Sequence, residues 1–268
     1  MTREFLTFIR RMLADKKFRH RHLELRRLSQ LPRYSSATTT ILGRSIEIVD
    51  NTSFFAMYEE IFDNEIYRFA TSVDSPRIID GGANIGLACI YLKGLFPTAR
   101  IEAYEPDHNV AQVLRKNLEA FGYTDVNVVQ KALWSSQTTL SFRVDGADAG
   151  RLTGGADDKV EDQMVSVDTV CARDLLQEPV DLLKLDIEGA ELVVLEACVD
   201  RLDNVENLFV EYHSFAGQKQ RLGRLIQLMT DAGFRIKATT PTAQRTPFIE
   251  RGDYLGLDFV MNLYGYRE

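Results

Sequence analysis

The stretch Arg77-Ile78-Ile79-Asp80-Gly81-Gly82-Ala83-Asn84-Ile85-Gly86 decides how this chain folds. An apolar run ends in an acid, and a glycine-rich turn then leads into a helical pattern formed by Ile85, Ala88, Cys89 and Leu92. This order predicts a buried strand, a tight turn and a helix N-terminus. Glycine at such a turn lets the backbone adopt a positive φ and come close to a ligand.

A second acid follows the glycine-rich turn, at the end of the next predicted strand. The apolar strand Ile101-Glu102-Ala103-Tyr104 ends in Glu105, nineteen residues after Gly86. An acid at the tip of the second strand of such a fold is placed to accept both hydroxyls of a ribose. The turn and the acid together predict a site for a cofactor that contains a nucleoside.

The turn helps to distinguish two classes of cofactor. The dinucleotide fingerprint G-x-G-x-x-G, read from Gly81, would place Ala83 at its second glycine. The pattern acid-x-G-x-G-x-G, typical of S-adenosylmethionine (AdoMet) methyltransferases, is carried here by Asp80, Gly82, Asn84 and Gly86. Asn tolerates the left-handed backbone region better than most residues. The sequence therefore favours AdoMet, with a nicotinamide-dependent oxidoreductase as the rival interpretation.

Strands and helices alternate from Arg77 to the end of the chain. Strands are predicted at 77–80, 100–105, 126–130 running on to 132–133, 180–187, 207–213, 234–238 and 258–264, and helices at 85–96, 108–121, 190–202 and 218–232. Such alternation predicts an α/β fold with a doubly wound, seven-stranded, mostly parallel sheet. Ligands bind beyond the C-terminal ends of such strands.

Three segments flank or interrupt this alternation. Residues 35–50 predict a small hairpin, and 54–69 predicts an aromatic-rich helix that is either a lid or simple core packing. Residues 138–144 and 164–170 predict an added strand pair. Its tip contains Asp145, Asp148, Asp157 and Asp158 without EF-hand spacing, so we expect a solvated loop there.

The charge is distributed unevenly. The net charge is −7, yet residues 1–34 hold ten Lys and Arg against three acids, which is +7 for that segment and −14 for the rest. An acidic main domain is a poor partner for nucleic acid. We predict a basic helical arm at 1–34, ended near Pro32, and an α/β domain at 35–268. The arm has three candidate roles: packing on its own domain, homodimer formation, or peripheral contact with an anionic inner membrane surface.

Composition also bears on location. No apolar run approaches the ~20 residues of a membrane span, and no secretory leader is visible. Cys89, Cys171 and Cys198 lie in apolar patterns without C-x-x-C spacing. We therefore expect reduced core thiols and a cytoplasmic protein.

The chemistry is expected where the fourth and fifth strands of the sheet end. In a strand, Lys184, Asp186 and Glu188 would point to one side, and charges in an apolar strand are costly unless they are paired or used. Asp186 is placed to meet the positive end of AdoMet or to orient an acceptor hydroxyl. His213 is a candidate general base, with a hydrogen-bonded structural histidine as the alternative. Glu191 is expected to complement a helix dipole.

No metal is expected, because no His/Cys cluster has zinc spacing. A divalent cation held by Asp186 with Glu188 or Asp168 is the alternative.

Four stretches resemble the FkbM-type methyltransferases, a branch of the class I AdoMet-dependent superfamily with a Rossmann-like fold. They are residues 80–86 (DGGANIG), 104–107 (YEPD), 167–170 (VDTV) and 183–191 (LKLDIEGAE), with 211–213 (EYH) as a weaker match. The resemblance covers about residues 50–265 and leaves the arm outside.

This resemblance implies O-methylation of a hydroxyl on a sugar, glycan or similar natural product. It also implies that the turn, Glu105 and Pro106 bind AdoMet and that Lys131 and Ala132 lie near the adenine. The catalytic candidates are then Lys184, Asp186, Glu188 and His213. The alternative is a non-catalytic module of the same fold, tethered to a membrane or partner by its basic arm.

Overall fold

The computed structural model describes residues 3–144, 151–152, 163–241, 246, 248–249 and 256–268. The α-helices in these ranges are α1 (Arg3–Ala14), α2 (Lys16–Leu28), α3 (Asn51–Tyr58), α4 (Leu87–Leu95), α5 (His108–Phe121), α6 (Ala172–Leu175), α7 (Glu191–Cys198) and α8 (Leu222–Asp231). The strands are β1 (Ala37–Thr39), β2 (Ile46–Ile48), β3 (Arg77–Gly81), β4 (Arg100–Tyr104), β5 (Asn127–Val129), β6 (Ala132–Trp134), β7 (Thr139–Val144), β8 (Arg151–Leu152), β9 (Gln163–Cys171), β10 (Val180–Leu185), β11 (Val205–Phe215), β12 (Arg235–Thr239) and β13 (Leu257–Tyr266).

A seven-stranded sheet forms the centre, in the order β12-β13-β11-β10-β3-β4-β5. Neighbouring strands from β11 to β5 pair in parallel, and β13 runs antiparallel to both β11 and β12. The predicted doubly wound, mostly parallel sheet is therefore confirmed. Parallel strands end at one edge, and this edge brings the tips of β3, β4, β10 and β11 together.

Strand β3 is buried on both faces, as expected for a central parallel strand. Ile78 packs into the core on one side of the sheet, where Leu92 and Leu114 also lie. Ile79 faces the core on the other side, together with Leu195 and Val210. The period-2 alternation of a strand explains this division, since successive side chains point to opposite faces.

The third strand of this sheet was predicted at 126–130 with a continuation to 132–133, and the continuation is wrong. The chain leaves the central sheet at Val129, turns at Lys131, whose N–H donates to Val129 O (2.9 Å), and then forms β6. Strand β6 belongs to a separate four-stranded sheet in the order β6-β9-β7-β8. The predicted strand pair is present there, with β7 antiparallel to β9. The four aspartates predicted at its tip lie outside the described residues.

The predicted strand at 180–187 ends earlier, at Leu185. Glu188 and Gly189 have φ of +53° and +95°, and left-handed residues cannot continue a strand. Glu188 therefore lies in a turn, so strand alternation is not what sets the direction of its side chain.

The helix predicted at 54–69 also differs from the structure. Helix α3 begins at Asn51, where the Asp50 side chain accepts from Ser53 N–H, and continues as a π-helical turn, Glu59–Asp63. It ends before Glu65, whose φ is +52°. Phe54 and Tyr58 are buried in the core, which fits the alternative of core packing for these two rings.

The predicted helices of the N-terminal arm are present, and α2 contacts the rest of the chain. Leu28 is fully buried in the core, and Asn51 Nδ2 donates to Leu28 O (3.2 Å) and Leu31 O (2.9 Å). Arg21 also forms an ion pair with Asp63. None of the helices in the described part of the chain is long and apolar enough to cross a bilayer.

These contacts predict that α2 stabilises the folded domain. Leu28→Ala should lower the free energy of unfolding by about 2–5 kcal/mol, since it removes a buried side chain and leaves a cavity. Leu23→Ala is the matched control, because Leu23 is 52% exposed and its loss should cost less than about 0.5 kcal/mol. Urea denaturation of both variants measures this, and equal losses would contradict the assignment.

Candidate active site

The glycine turn at the end of β3 has the backbone that its sequence predicts. Gly82 and Gly86 have φ of +77° and +88°, and Asn84, the exception to the glycine pattern, also takes a left-handed φ of +47°. Asn84 Oδ1 accepts from Ile85 N–H at 2.6 Å. A Cβ on Gly82 would lie 1.8 Å from Asp186 O. The turn is therefore pressed against the chain that follows β10, and only glycine fits there.

Glu105 is tied directly to this turn. Its buried carboxylate accepts from Asn84 N–H (3.0 Å) through Oε2 and from Asp107 N–H (2.9 Å) through Oε1. Burial raises the pKa of Glu105 to about 7, against the lowering effect of these two hydrogen bonds. The structure thus places the predicted ribose acid beside the predicted cofactor turn.

The other predicted cofactor residues lie around Glu105. Pro106 follows it and is half-buried. Glu105 N–H donates to Val129 O (3.2 Å), so Lys131 and the buried Ala132 follow the neighbouring strand tip. The adenine position inferred for these two residues stays a prediction.

Lys184 is buried beneath the glycine turn and contacts it. It is 3% exposed; its Nζ lies 3.0 Å from Asp80 Oδ1 and 3.5 Å from Asp186 Oδ2, and it donates to Gly82 O at 2.8 Å. Burial opposes its charge, but the carboxylates of Asp80 and Asp186 raise its pKa above the usual value. These are the contacts of a residue that supports the turn, and a catalytic role for Lys184 stays a prediction.

Asp80 lies beneath the turn rather than on its open side. It is fully buried, pairs with Lys184 across the register of β3 and β10, and accepts from Cys89 Sγ at 3.3 Å. The approach of Lys184 to Oδ1 lacks the geometry of a hydrogen bond, so the contact there is an ion pair. In the structure Asp80 supports the shape of the turn, and its predicted role in cofactor binding stays a prediction.

His213 lies on β11 at the centre of a carboxylate cluster. Its ring is 4% exposed, and Nδ1 donates to Glu191 Oε1 at 3.1 Å. Nε2 lies 3.5 Å from Glu188 Oε2, 3.8 Å from Glu211 Oε1 and 4.0 Å from Asp186 Oδ1. Burial lowers the pKa of His213, but Glu188 and Glu191 raise it well above the usual value. The free protein therefore favours the imidazolium, whereas a general base must be neutral.

Glu191 has a larger role than the helix-dipole role that the sequence suggested. It is buried, and its Oε1 accepts from Ile187 N–H (3.2 Å) and Gly189 N–H (3.0 Å) as well as from His213. This oxygen therefore fixes both the turn after β10 and the orientation of the imidazole. The signal in the sequence was an acid directly after Gly189-Ala190 that could fold back on the turn.

Sequence analysis missed two further acids of this cluster as site residues. Glu211 lies two residues before His213 on β11, and strand alternation puts both on one face. Burial, and then Asp186, raise the pKa of Glu211 well above its usual value. Glu60 lies on the π-helical turn, where burial, and then Asp186, raise its pKa to about 7. Alternation could have found Glu211, but nothing local indicated Glu60.

Asp186 connects the two halves of the site. Its N–H donates to Gly81 O (3.2 Å), its carbonyl packs on Gly82, and its carboxylate lies between Lys184 and His213. Asp168 is not brought here. It is exposed and accepts from Thr139 Oγ1 (3.0 Å) in the smaller sheet.

Comparisons with known proteins identify relatives among methyltransferases. Residues 80–236 match the family model described as the methyltransferase FkbM domain. The chain is 27% identical over 233 residues to Methyltransferase 1 of Beauveria bassiana, covering 75% of this chain and 92% of that protein. It is 29% identical over 229 residues to methyltransferase sdnD of Sordaria araneosa, covering 70% and 87%.

Among solved structures, the methyltransferase FkbM from Methylobacillus flagellatus KT matches with a TM-score of 0.49 and 19% identity over 76% of this chain. The match covers 46% of that protein, so this chain spans less than half of its length.

The contact between Gly82 and Asp186 O gives a direct test of the turn. Gly82→Ala should destabilise the protein and weaken AdoMet binding, because the methyl group meets a backbone oxygen that cannot move freely. Gly122→Ala is the matched control: its φ is also +77°, but nothing lies within 4 Å of its Cβ position. It should cost only about 1 kcal/mol, the left-handed penalty. Thermal unfolding and calorimetric AdoMet titration measure both effects, and equal behaviour of the two variants would contradict the contact.

Proposed function

The chain belongs to the FkbM methyltransferase family, whose model matches more than half of its residues, and we propose that it transfers a methyl group from AdoMet to a hydroxyl of a sugar, glycan or similar natural product. The observation that carries this proposal is the junction at Asp186. There the glycine turn with its ribose acid meets the half-buried acids around the buried His213. A cofactor site and a set of proton-accepting groups thus share one residue.

The residues present fit AdoMet. The turn supplies a backbone pressed close to the sheet, Glu105 supplies a buried carboxylate at the tip of β4, and no phosphate-binding residue is needed. When bound, AdoMet supplies an electrophilic methyl group on a positively charged sulfur. Asp186 would provide negative charge for the positive end of AdoMet. Lys184 keeps Asp186 and the turn in register.

The acceptor hydroxyl is placed over the cluster, on the side of the sheet edge that α3 and the π-helical turn approach. Asp186 orients it. Glu188 accepts its proton, because His213 carries a proton of its own in the free protein and lies 3.5 Å from the Glu188 carboxylate. Much of the acceleration comes from holding donor and acceptor in line, an effect worth up to ~7–11 kcal/mol in favourable cases.

The rival with the same fold is a module that binds without catalysis. The exposure of Leu13 and Leu23 on the basic arm favours a membrane or partner contact. Three arginines of the arm are already used within the protein, in the ion pairs Arg21–Asp63, Arg27–Glu24 and Arg33–Asp50. A packing role for the arm therefore competes with tethering. We propose a cytoplasmic enzyme in which the arm packs on its own domain.

Glu105 gives the first test of the cofactor assignment. Below pH 7 this carboxyl is protonated in the free protein, and accepting two ribose hydroxyls favours the charged form. The Kd for AdoMet should therefore rise as the pH falls from 7.5 to 5.5, by up to about tenfold per unit. Glu105→Gln should bind at least tenfold more weakly at pH 7.5 and lose this pH dependence. Calorimetry with AdoMet and S-adenosylhomocysteine measures both; binding indifferent to the substitution would leave the non-catalytic module as the better account.

The methyl-transfer rates of variants test the cluster around His213. With tritium-labelled AdoMet and a panel of hydroxylated acceptors, Glu188→Gln should lower kcat by about 100-fold or more, a typical general-base contribution. His213→Ala should also lower kcat, because Glu188 loses the charged ring that lies 3.5 Å from its carboxylate. Their AdoMet affinity should stay within twofold of wild type, because the glycine turn and Glu105 are unchanged in both variants. Asp168→Asn is the control, and its kcat should be unchanged. An unaltered kcat in Glu188→Gln would remove that residue from the mechanism.

A further inference from the structure

Three side chains of the cluster converge as metal ligands do. Asp186, Glu211 and His213 each offer one ligand atom, and these atoms all lie within 4.8 Å of one another. His213 Nε2 is 3.8 Å from Glu211 Oε1 and 4.0 Å from Asp186 Oδ1. Both separations exceed the ~3.2 Å limit of a good hydrogen bond. They are shorter than ~4.2 Å, twice the usual distance between a divalent ion and its N or O ligand.

The histidine provides an independent reason to expect a ligand. It is more than nine-tenths buried, and its Nδ1–H is held by Glu191. Nε2 therefore faces the carboxylates of Glu188 (3.5 Å), Glu211 (3.8 Å) and Asp186 (4.0 Å). Histidine ligands of metals are almost always oriented in this way by a carboxylate or carbonyl on the other ring nitrogen. Glu191 is itself held by two backbone N–H groups, so the direction of Nε2 is fixed from behind.

The charges around Nε2 are also out of balance. The carboxylates of Asp186, Glu188 and Glu211 all lie within 4.0 Å of Nε2. The nearby cation, Lys184, lies 3.5 Å from Asp186 and also donates to Gly82 O in the turn. Carboxylates that converge on one buried nitrogen are stabilised by a proton or a cation between them. A divalent ion at Nε2 would supply two positive charges at the point where the acids meet.

We propose that Asp186, Glu211 and His213 bind a divalent first-row transition cation, with Mn²⁺ as its representative. One imidazole with two carboxylates suits such ions, whereas Ca²⁺ and Mg²⁺ prefer oxygen ligands alone. The proposal departs from the absence of a metal predicted from the sequence, because Glu211 was not among the candidates there. The divalent-cation alternative from the sequence combined Asp186 with Glu188 or Asp168. In the proposed site, Glu211 and His213 are the partners of Asp186 instead.

The catalytic consequence rests on the proposed function. The ion takes the place of the proton on Nε2 and binds the acceptor hydroxyl, whose pKa falls on coordination. Glu188, outside the ligand set, accepts the hydroxyl proton. The oxygen then forms the new O–CH₃ bond as the S–CH₃ bond breaks, and the sulfur of S-adenosylhomocysteine keeps the electron pair.

The test is direct binding of Mn²⁺ to the full-length, metal-free protein, followed by electron paramagnetic resonance. We expect one site in the wild type and a Kd at least tenfold higher in His213→Ala and in Glu211→Gln. Asp168→Asn and His108→Ala are matched controls for an exposed carboxylate and an exposed imidazole, and both should bind as the wild type does. AdoMet affinity in each variant reports whether its fold is intact.

A second readout does not depend on how the variants fold. Spin-echo modulation of Mn²⁺ bound to the wild-type protein should show a directly coordinated imidazole nitrogen. Absence of a bound ion, absence of the nitrogen coupling, or equal loss of binding in the control variants would each overturn the proposal. Mn²⁺ binding with the nitrogen coupling, but without methyl transfer to any acceptor, would support the site and contradict the proposed function instead.

Discussion

The buried ammonium of Lys184 is the interaction on which the rest of the site depends. It lies between Asp80 on β3 and Asp186 after β10 and donates to the carbonyl of Gly82. Moving an ion out of water costs several kcal/mol, and removing one partner of such a group typically costs about 3–5 kcal/mol. The arrangement therefore specifies one geometry: the two central strands in register, and the glycine turn closed over them.

Once the turn is fixed, the remaining acids have little freedom. The backbone of Asp186 is fixed, because its carbonyl packs against Gly82 and its N–H donates a hydrogen bond to Gly81 O. The next residues reverse direction through the left-handed pair Glu188 and Gly189, which Glu191 holds by accepting from the turn. Backbone conformations of this kind cost about 1–3 kcal/mol each and persist where the surroundings over-determine them. The strain here has a clear result, since it brings the Glu188 carboxylate to His213.

The sequence predicted the sheet and the backbone of the glycine turn well because both follow from local rules. Adjacent residues are enough to predict a buried strand, residues with positive φ and an acid at a strand tip. Asn84, for example, has the left-handed conformation that the glycine pattern requires at its position. The break after Val129 was missed because an apolar run does not reveal which of two sheets it joins. Glu191 and Glu60 were undervalued for a different reason: their importance arises from contacts across the fold, which periodicity cannot show.

The segment before the sheet contributes a residue to the surroundings of Asp186, although it precedes the sheet in the chain. A π-helical turn inserts one extra residue and redirects the side chains that follow, and here it puts Glu60 into the electrostatic field of Asp186. Tyr67, further along, is buried, and its pKa is raised by burial and then by the charge of the same aspartate. The sheet thus supplies the glycine turn and the residues around His213, while the segment before it adds Glu60 and Tyr67, which both interact with Asp186. The determinants of acceptor choice should therefore be sought in residues 51–69 before the sheet itself.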